Sequence, residues 1–195
     1  MGKVTFNMTM SLDGFVAGPN DDVDALFTWY FSGDTEVPIS DGNMVLKVSK
    51  QSAELLNEAF SRYGAGVWGR RTFDFAHAWG GHPPGSPCFI VTHNVPQEWV
   101  KEGSPFTFVT DGVESAIRQA KEAAGDKDVV ICTPSILQQC IKAGLVDEIY
   151  VDLAPILLGG GVSLFDHLGI GTINLECIQN IQAPGVTHLG FRVIK

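Results

Sequence analysis

The chain has 195 residues, of which 45% are hydrophobic and 18% charged, and its formal net charge is −9. That composition belongs to a globular protein able to bury a full core, and not to a disordered or fibrous chain. The acid excess, 22 Asp and Glu against 13 Lys and Arg, excludes a nucleic-acid partner, which needs a basic footprint. No apolar run approaches the ~20 residues of a membrane span, and Met1-Gly2-Lys3 leads straight into alternating residues, without the apolar stretch of a secretory signal. A cytoplasmic protein with no membrane partner is expected. Cys88, Cys132, Cys140 and Cys177 are widely spaced with no Cys-x-x-Cys, so they read as buried thiols and no metal is expected.

Val4, Phe6, Met8 and Met10 alternate with smaller or polar residues and predict an opening strand. Ser11-Leu12-Asp13-Gly14 breaks it, and Gly18-Pro19-Asn20 marks a turn. The spacing predicts a short helix over 24–31 and a polar surface loop over 32–43. Leu55, Leu56, Ala59, Phe60 and Tyr63 have helical spacing, with Ser49 as N-cap. From there the rhythm is strand, helix, strand. Strands are predicted at 65–68, 88–92, 106–109 and 128–132, and helices at 72–77, 112–124 and 134–143. Thr133-Pro134 supplies an N-cap and a proline at the first helical position, and Gly144 ends that helix. Ile149, Val151 and Leu153 alternate, a glycine run follows at 159–161, and strands at 174–182 and 186–194 close the chain. Alternating β and α units predict one α/β domain over 1–195, with a mostly parallel central sheet, helices on both faces and an antiparallel C-terminal edge.

The feature with the most chemistry is Gly69-Arg70-Arg71-Thr72, placed where a strand hands over to a helix. Such junctions favour anions, because the first helical N–H groups are unpaired and the helix dipole is positive there. Arginine adds a planar fork that matches phosphate oxygens. The same residues also read as ordinary surface arginines, one paired with Asp74 or Glu58.

Several motifs then fall into one order. They are Met10-Ser11-Leu12-Asp13-Gly14-Phe15-Val16-Ala17-Gly18, Gly69-Arg70-Arg71-Thr72, Ile90-Val91-Thr92, Ala143-Gly144-Leu145-Val146-Asp147-Glu148, Pro155-Ile156-Leu157-Leu158-Gly159-Gly160-Gly161 and Leu164-Phe165-Asp166. Together they resemble the dihydrofolate reductase-like superfamily, in the branch similar to the reductase domain of the bifunctional riboflavin biosynthesis deaminase-reductase. The resemblance implies a three-layer fold, NADPH as hydride donor and a small-molecule substrate, either a pterin-like or 5-amino-6-ribosylaminouracil-like ring or a carbonyl or imine. It also implies a homodimer.

By that resemblance Arg70, Arg71 and Thr72, opened by Gly69, contact the 2′-phosphate and the pyrophosphate nearby. Thr92 and His93 line the adenosine side, while Ala17 and Gly18 approach the nicotinamide. Thr133, Ser135 and Ile136 supply donors at the next helix start. Gly159 and Gly160 let the backbone pass close to the ligand. Asp13 is the polar group at the reacting end, orienting substrate or relaying a proton; its other reading is a turn residue bonded to the backbone. Asp24 is the alternative carboxylate, or else an acid in the first turn of a helix.

One departure stands out. The family carries two adjacent glycines where this chain has Cys132-Thr133, followed by Pro134. Two Cβ atoms and a missing N–H predict weakened or rearranged pyrophosphate binding. A second function class therefore stays open, a nucleotide-binding or scaffold protein that kept the fold and lost turnover. A flavin phosphate in place of NADPH is a third reading.

Overall fold

The structure is a computed structural model and describes residues 2–166 and 168–195. In chain order its first strands are β1 (Val4–Ser11), β2 (Phe15–Ala17), β3 (Thr35–Ile39) and β4 (Met44–Val48). Helix α1 (Lys50–Arg62) leads into β5 (Tyr63–Gly69), α2 (Arg70–Phe75), β6 (Cys88–Val91) and β7 (Phe106–Val109). Then come α3 (Val113–Ala124), β8 (Asp128–Ile131), α4 (Pro134–Lys142) and β9 (Glu148–Ala154). Short β10 (Val162–Ser163) precedes the final pair, β11 (Leu175–Ala183) and β12 (Val186–Val193).

Eight strands form one sheet in the order β11-β12-β9-β1-β8-β5-β6-β7. The six from β9 to β7 are parallel, and β12 joins β9 antiparallel with β11 outside it. The predicted α/β fold, with its antiparallel C-terminal edge, is the one observed. Strand periodicity sorts the faces. Val4 and Phe6 of β1 and Ile149 and Val151 of β9 are buried in one cluster with Val113, Ala116, Ile136 and Leu137 of α3 and α4. The opposite face of the same strands carries Thr5, Asn7, Thr9 and Asp152. There α1 packs Ala53 and Leu56 against Ala183 and Val186, beside Trp29 and the β3–β4 hairpin.

Two expectations are corrected. Residues 24–31 do not form an α-helix; the one regular turn there is a 3-10 turn at Thr28–Phe31. The Thr28 hydroxyl donates to the Asp24 and Ala25 carbonyls at 3.2 Å each, the kind of side-chain bond that competes with helical ladders. Leu26 and Trp29 are buried while Phe27 and Tyr30 turn to a cleft, so the apolar spacing serves two surfaces instead of one helix face. Residues 32–43, predicted as loop, contain β3, which pairs antiparallel with β4 and sets Val37 opposite Leu46. Both side chains are fully buried, and their burial outweighs the Gly, Ser and Asp content that reads as loop. Smaller shifts follow the same logic: α2 begins at Arg70, two residues earlier than the predicted helix.

Candidate active site

The junctions at the C-terminal ends of β5 and β8 are stitched together. The Gly69 N–H donates to Thr133 Oγ1 at 3.0 Å, and that hydroxyl donates in turn to Thr72 Oγ1 at 3.2 Å. Thr133 is 4% exposed, so its single hydroxyl proton serves the fold and does not face a ligand. Gly69 sits close enough that an added Cβ meets Thr133 Cγ2 at 3.0 Å. Threonine at position 133 thus closes this seam from inside.

Two clefts flank the seam. The first, about 590 Å³, lies where ligands bind in open α/β sheets, beyond the carboxyl ends of β5 and β6 and at the start of α4. Gly69, Arg70, Arg71, Thr92, His93, Ser135 and Ile136 all line it, so seven predicted residues come together. No carboxylate is among its described lining residues, in a protein of net charge −9. Arg70 Nε donates to Asp74 at 2.7 Å and its Nη1 to the Asn94 carbonyl at 2.6 Å, which fixes the guanidinium at the rim. Arg71, 72% exposed in its side chain, pairs with Asp21. Thr92 Oγ1 donates to the Asn94 carbonyl at 2.9 Å and accepts from its N–H at 3.2 Å, shaping the loop that holds Arg70. The Ser135 and Ile136 N–H groups belong to the first turn of α4 and have no carbonyl partner within the helix. Two guanidinium groups, first-turn N–H donors and no lining acid fit a ligand carrying phosphate.

The second cleft, about 1170 Å³, opens on the other side of the same turn; Trp68 and Thr72 line it while Gly69, Arg70 and Arg71 line the first. Its floor is Asn7 and Thr9 of β1 with Tyr30, Tyr63 and Cys132. Burial, with help from the Asp152 carboxylate, pushes the Tyr30 and Tyr63 phenols well above their ordinary value. Burial and then Asp152 push the Cys132 thiol up to about 12. The floor therefore presents neutral O–H and S–H groups at neutral pH. Trp79, Phe75 and Pro83-Pro84 wall one side, and Asp24 is the carboxylate at the rim.

The remaining predicted residues meet elsewhere. Asp13 accepts from the Ser11 hydroxyl at 2.6 Å, the Gly159 N–H at 2.7 Å and the Leu158 N–H at 3.1 Å. These bonds, the Ser11 one first, hold its carboxyl below the usual range. Ala17 pairs with Val162, and the Gly18 N–H donates to the Asp22 carbonyl at 2.7 Å. Asp13, Ala17, Gly18, Gly159 and Gly160 thus build one loop pair, and none lines either cleft. Sequence reading missed the cleft floor. The signal was present in β1, where Asn7 and Thr9 alternate with Met8 and Met10 and so share a face. Among the described residues no group of three or more His, Cys, Asp or Glu side chains is placed to hold a metal ion, and no helix is long and apolar enough to cross a membrane.

Sheet order and helix placement give an α/β fold similar to that of dihydrofolate reductase. Within that class the chain belongs to the RibD C-terminal domain family, whose model matches residues 2–189. A riboflavin-biosynthesis-type protein from Shewanella sp. PV-4 superposes with a TM-score of 0.75 at 22% identity, covering 99% of each chain. The diaminohydroxyphosphoribosylaminopyrimidine deaminase/5-amino-6-(5-phosphoribosylamino)uracil reductase of Thermotoga maritima gives 0.64 at 12% identity. There 99% of this chain spans only 57% of the relative. Dihydrofolate reductase from Enterococcus faecalis, solved with NADP(H), gives 0.59 at 14% identity and covers 100% of this chain and 98% of its own. No curated protein sequence matches the chain.

Proposed function

We infer that the protein is an NADPH-dependent reductase acting on a small heterocyclic, carbonyl or imine substrate. One observation carries this reading: a cleft lined by two arginines, with no acid among its described lining residues, and a broad aromatic cleft share the β5–α2 turn. The first suits the phosphate-bearing end of a dinucleotide, and the second suits a planar ring. When bound, NADPH supplies the hydride. In the polar cleft Arg70 and Arg71 would hold the 2′-phosphate, and the Ser135 and Ile136 N–H groups would face the pyrophosphate. Thr133 acts behind them by fixing Gly69 and Thr72. In the aromatic cleft Trp68 and Trp79 exclude water and orient the ring. Tyr30 and Tyr63, held protonated, keep a proton at the phenolic oxygen beside that ring. Asp13 supports the site by clamping the Leu158–Gly159 loop against β2, which keeps the Ala17–Gly18 backbone in place.

Calorimetry tests the reading on the native chain and on Arg70→Ala/Arg71→Ala. Native binding that prefers NADPH over NADH and is lost in the double variant supports it. A folded native protein that binds neither nucleotide removes it. The alternative is nucleotide binding without turnover, favoured by Cys132-Thr133-Pro134 in place of the paired glycines. NADPH binding with no oxidation by any ring, carbonyl or imine substrate would establish that alternative.

A further inference from the structure

The larger cleft carries information about its ligand that the polar cleft does not. Eight aromatic side chains line it, while no Lys, Arg or His is among its described lining residues. The basic residues adjacent in sequence to its lining are engaged elsewhere. Arg71 pairs with Asp21 in the polar cleft, Lys47 lies 3.7 Å from Glu36, and Arg62 lies 3.5 Å from Glu58 and 3.9 Å from Asp128. His77 and His82 belong to the adjoining loop but do not line the cleft. Asp24 is the only Asp or Glu among the described lining residues, and Tyr30, Tyr63 and Cys132 stay neutral.

At the rim, Phe31 is 58% exposed and Phe75 52%, with Met44 and Phe60 exposed beside them. Apolar side chains gathered in the open around a concavity mark a ligand groove. The cleft's 1170 Å³ lies above the roughly 300–1,000 Å³ of common ligand pockets, so it has room for more than one ring. A phosphate monoester brought here would lose water without gaining a cation, and the net charge of −9 opposes it further. A cation would meet aromatic faces and the Asp24 carboxylate.

We propose that this cleft takes a phosphate-free, uncharged or cationic planar compound of more than one ring, and rejects ribose-phosphate substrates. The proposal rests on the reductase reading for turnover but not for binding. The T. maritima relative is named for a phosphoribosyl substrate; none of the described residues lining this cleft carries a cation that could hold that phosphate.

Riboflavin and its 5′-phosphate form a matched probe pair, and proflavine serves as a planar cation. Quenching of Trp68 and Trp79 reports binding in the full chain. Titrations are run on the native protein and on Arg70→Ala/Arg71→Ala, where the polar cleft no longer attracts phosphate. The expected result in the double variant is riboflavin binding at least about tenfold tighter than its phosphate. Proflavine binds and weakens by up to about fivefold in Asp24→Asn, while riboflavin is unchanged. Equal or tighter binding of the phosphate in the double variant overturns the proposal, as does the failure of all three probes to bind folded protein. NADPH calorimetry judges the reductase reading separately, since it reports on the other cleft.

Discussion

The Asp13 carboxylate accepts the Gly159 N–H at 2.7 Å and the Leu158 N–H at 3.1 Å, joining two loops 145 residues apart in sequence. Both loops attract functional readings, yet here each satisfies the other. The Ser11 hydroxyl and the Gly159 N–H favour the charged carboxylate and hold its folded pKa below the unfolded value. The linkage sign follows. The clamp contributes fully above the unfolded pKa and is lost as pH falls through the lower folded pKa. The protection factors of the Leu158 and Gly159 amides, taken against intrinsic exchange at each pH, should therefore be high at neutral pH and fall in acid. Asp13→Ala should lower protection at both residues at every pH while the β1 amides stay protected. Unchanged protection in that variant would show that the clamp holds nothing.

Gly161 defines the same loop pair by close approach. Its φ is +128°, and an added Cβ would run into the Ala17 carbonyl oxygen. The obstacle is backbone, so no rotamer change relieves it. Gly161→Ala should cost about 1–3 kcal/mol in urea unfolding and displace β2. Gly159 also has positive φ, but nothing lies within 4 Å of its added Cβ. Gly159→Ala should therefore cost less, about 1 kcal/mol from conformation alone.

Much of this architecture is legible in the chain. Val67-Trp68 and Val129-Val130-Ile131 read as parallel strands because burial on both faces demands continuous apolar residues. The polar cleft was legible too, since Gly69 to Arg71 are consecutive and Ser135 and Ile136 follow a visible helix start. The aromatic cleft was not. Asn7, Tyr30, Tyr63, Trp79 and Cys132 come from five distant segments, and only tertiary folding brings them to one surface. The β3–β4 hairpin was hidden for a related reason. Val37, Leu46 and Val48 make sense as an alternating set once Trp29 and α1 are there to cover them.

The arginines of the polar cleft hold carboxylates of their own chain, and this sets a competition. Arg71, the more exposed of the two, pairs with Asp21. A phosphate must displace that partner, and an exposed pair of this kind is worth about 0.2–1 kcal/mol. Asp21→Asn should therefore strengthen NADPH binding by about two- to fivefold at low salt and leave NADH unchanged. Arg70 differs, because its bond to the Asn94 carbonyl helps shape the site wall. Asp74→Asn should leave that bond intact and produce a smaller gain. Equal gains for NADPH and NADH in Asp21→Asn would place Arg71 away from the 2′-phosphate.

On the sheet face beneath α1, His188 Nδ1 lies 2.6 Å from Asp152 Oδ1, and its Nε2 lies 2.9 Å from Ser52 Oγ. The order Ser, His, Asp is that of a hydrolytic triad, but all three are at most 4% exposed. The Ser49 hydroxyl donates to Ser52 Oγ at 3.0 Å, and the Trp29 ring stands edge-on to His188 at 5.3 Å. No substrate reaches such a serine, so the set pins α1 to β12 and β9. His188→Ala removes the partner of a buried carboxylate whose other oxygen, Oδ2, already has none. Its cost should be about 3–5 kcal/mol. Ser52→Ala removes one hydrogen bond and should cost about 1 kcal/mol. Because the residues act as a unit, His188→Ala/Asp152→Asn should cost clearly less than the sum of its parts. Urea unfolding of the four variants, Asp152→Asn included, checks this. Additive losses would mean that the contacts stabilise the fold independently, and a small loss for His188→Ala would mean that the carboxylate finds water when its partner is removed.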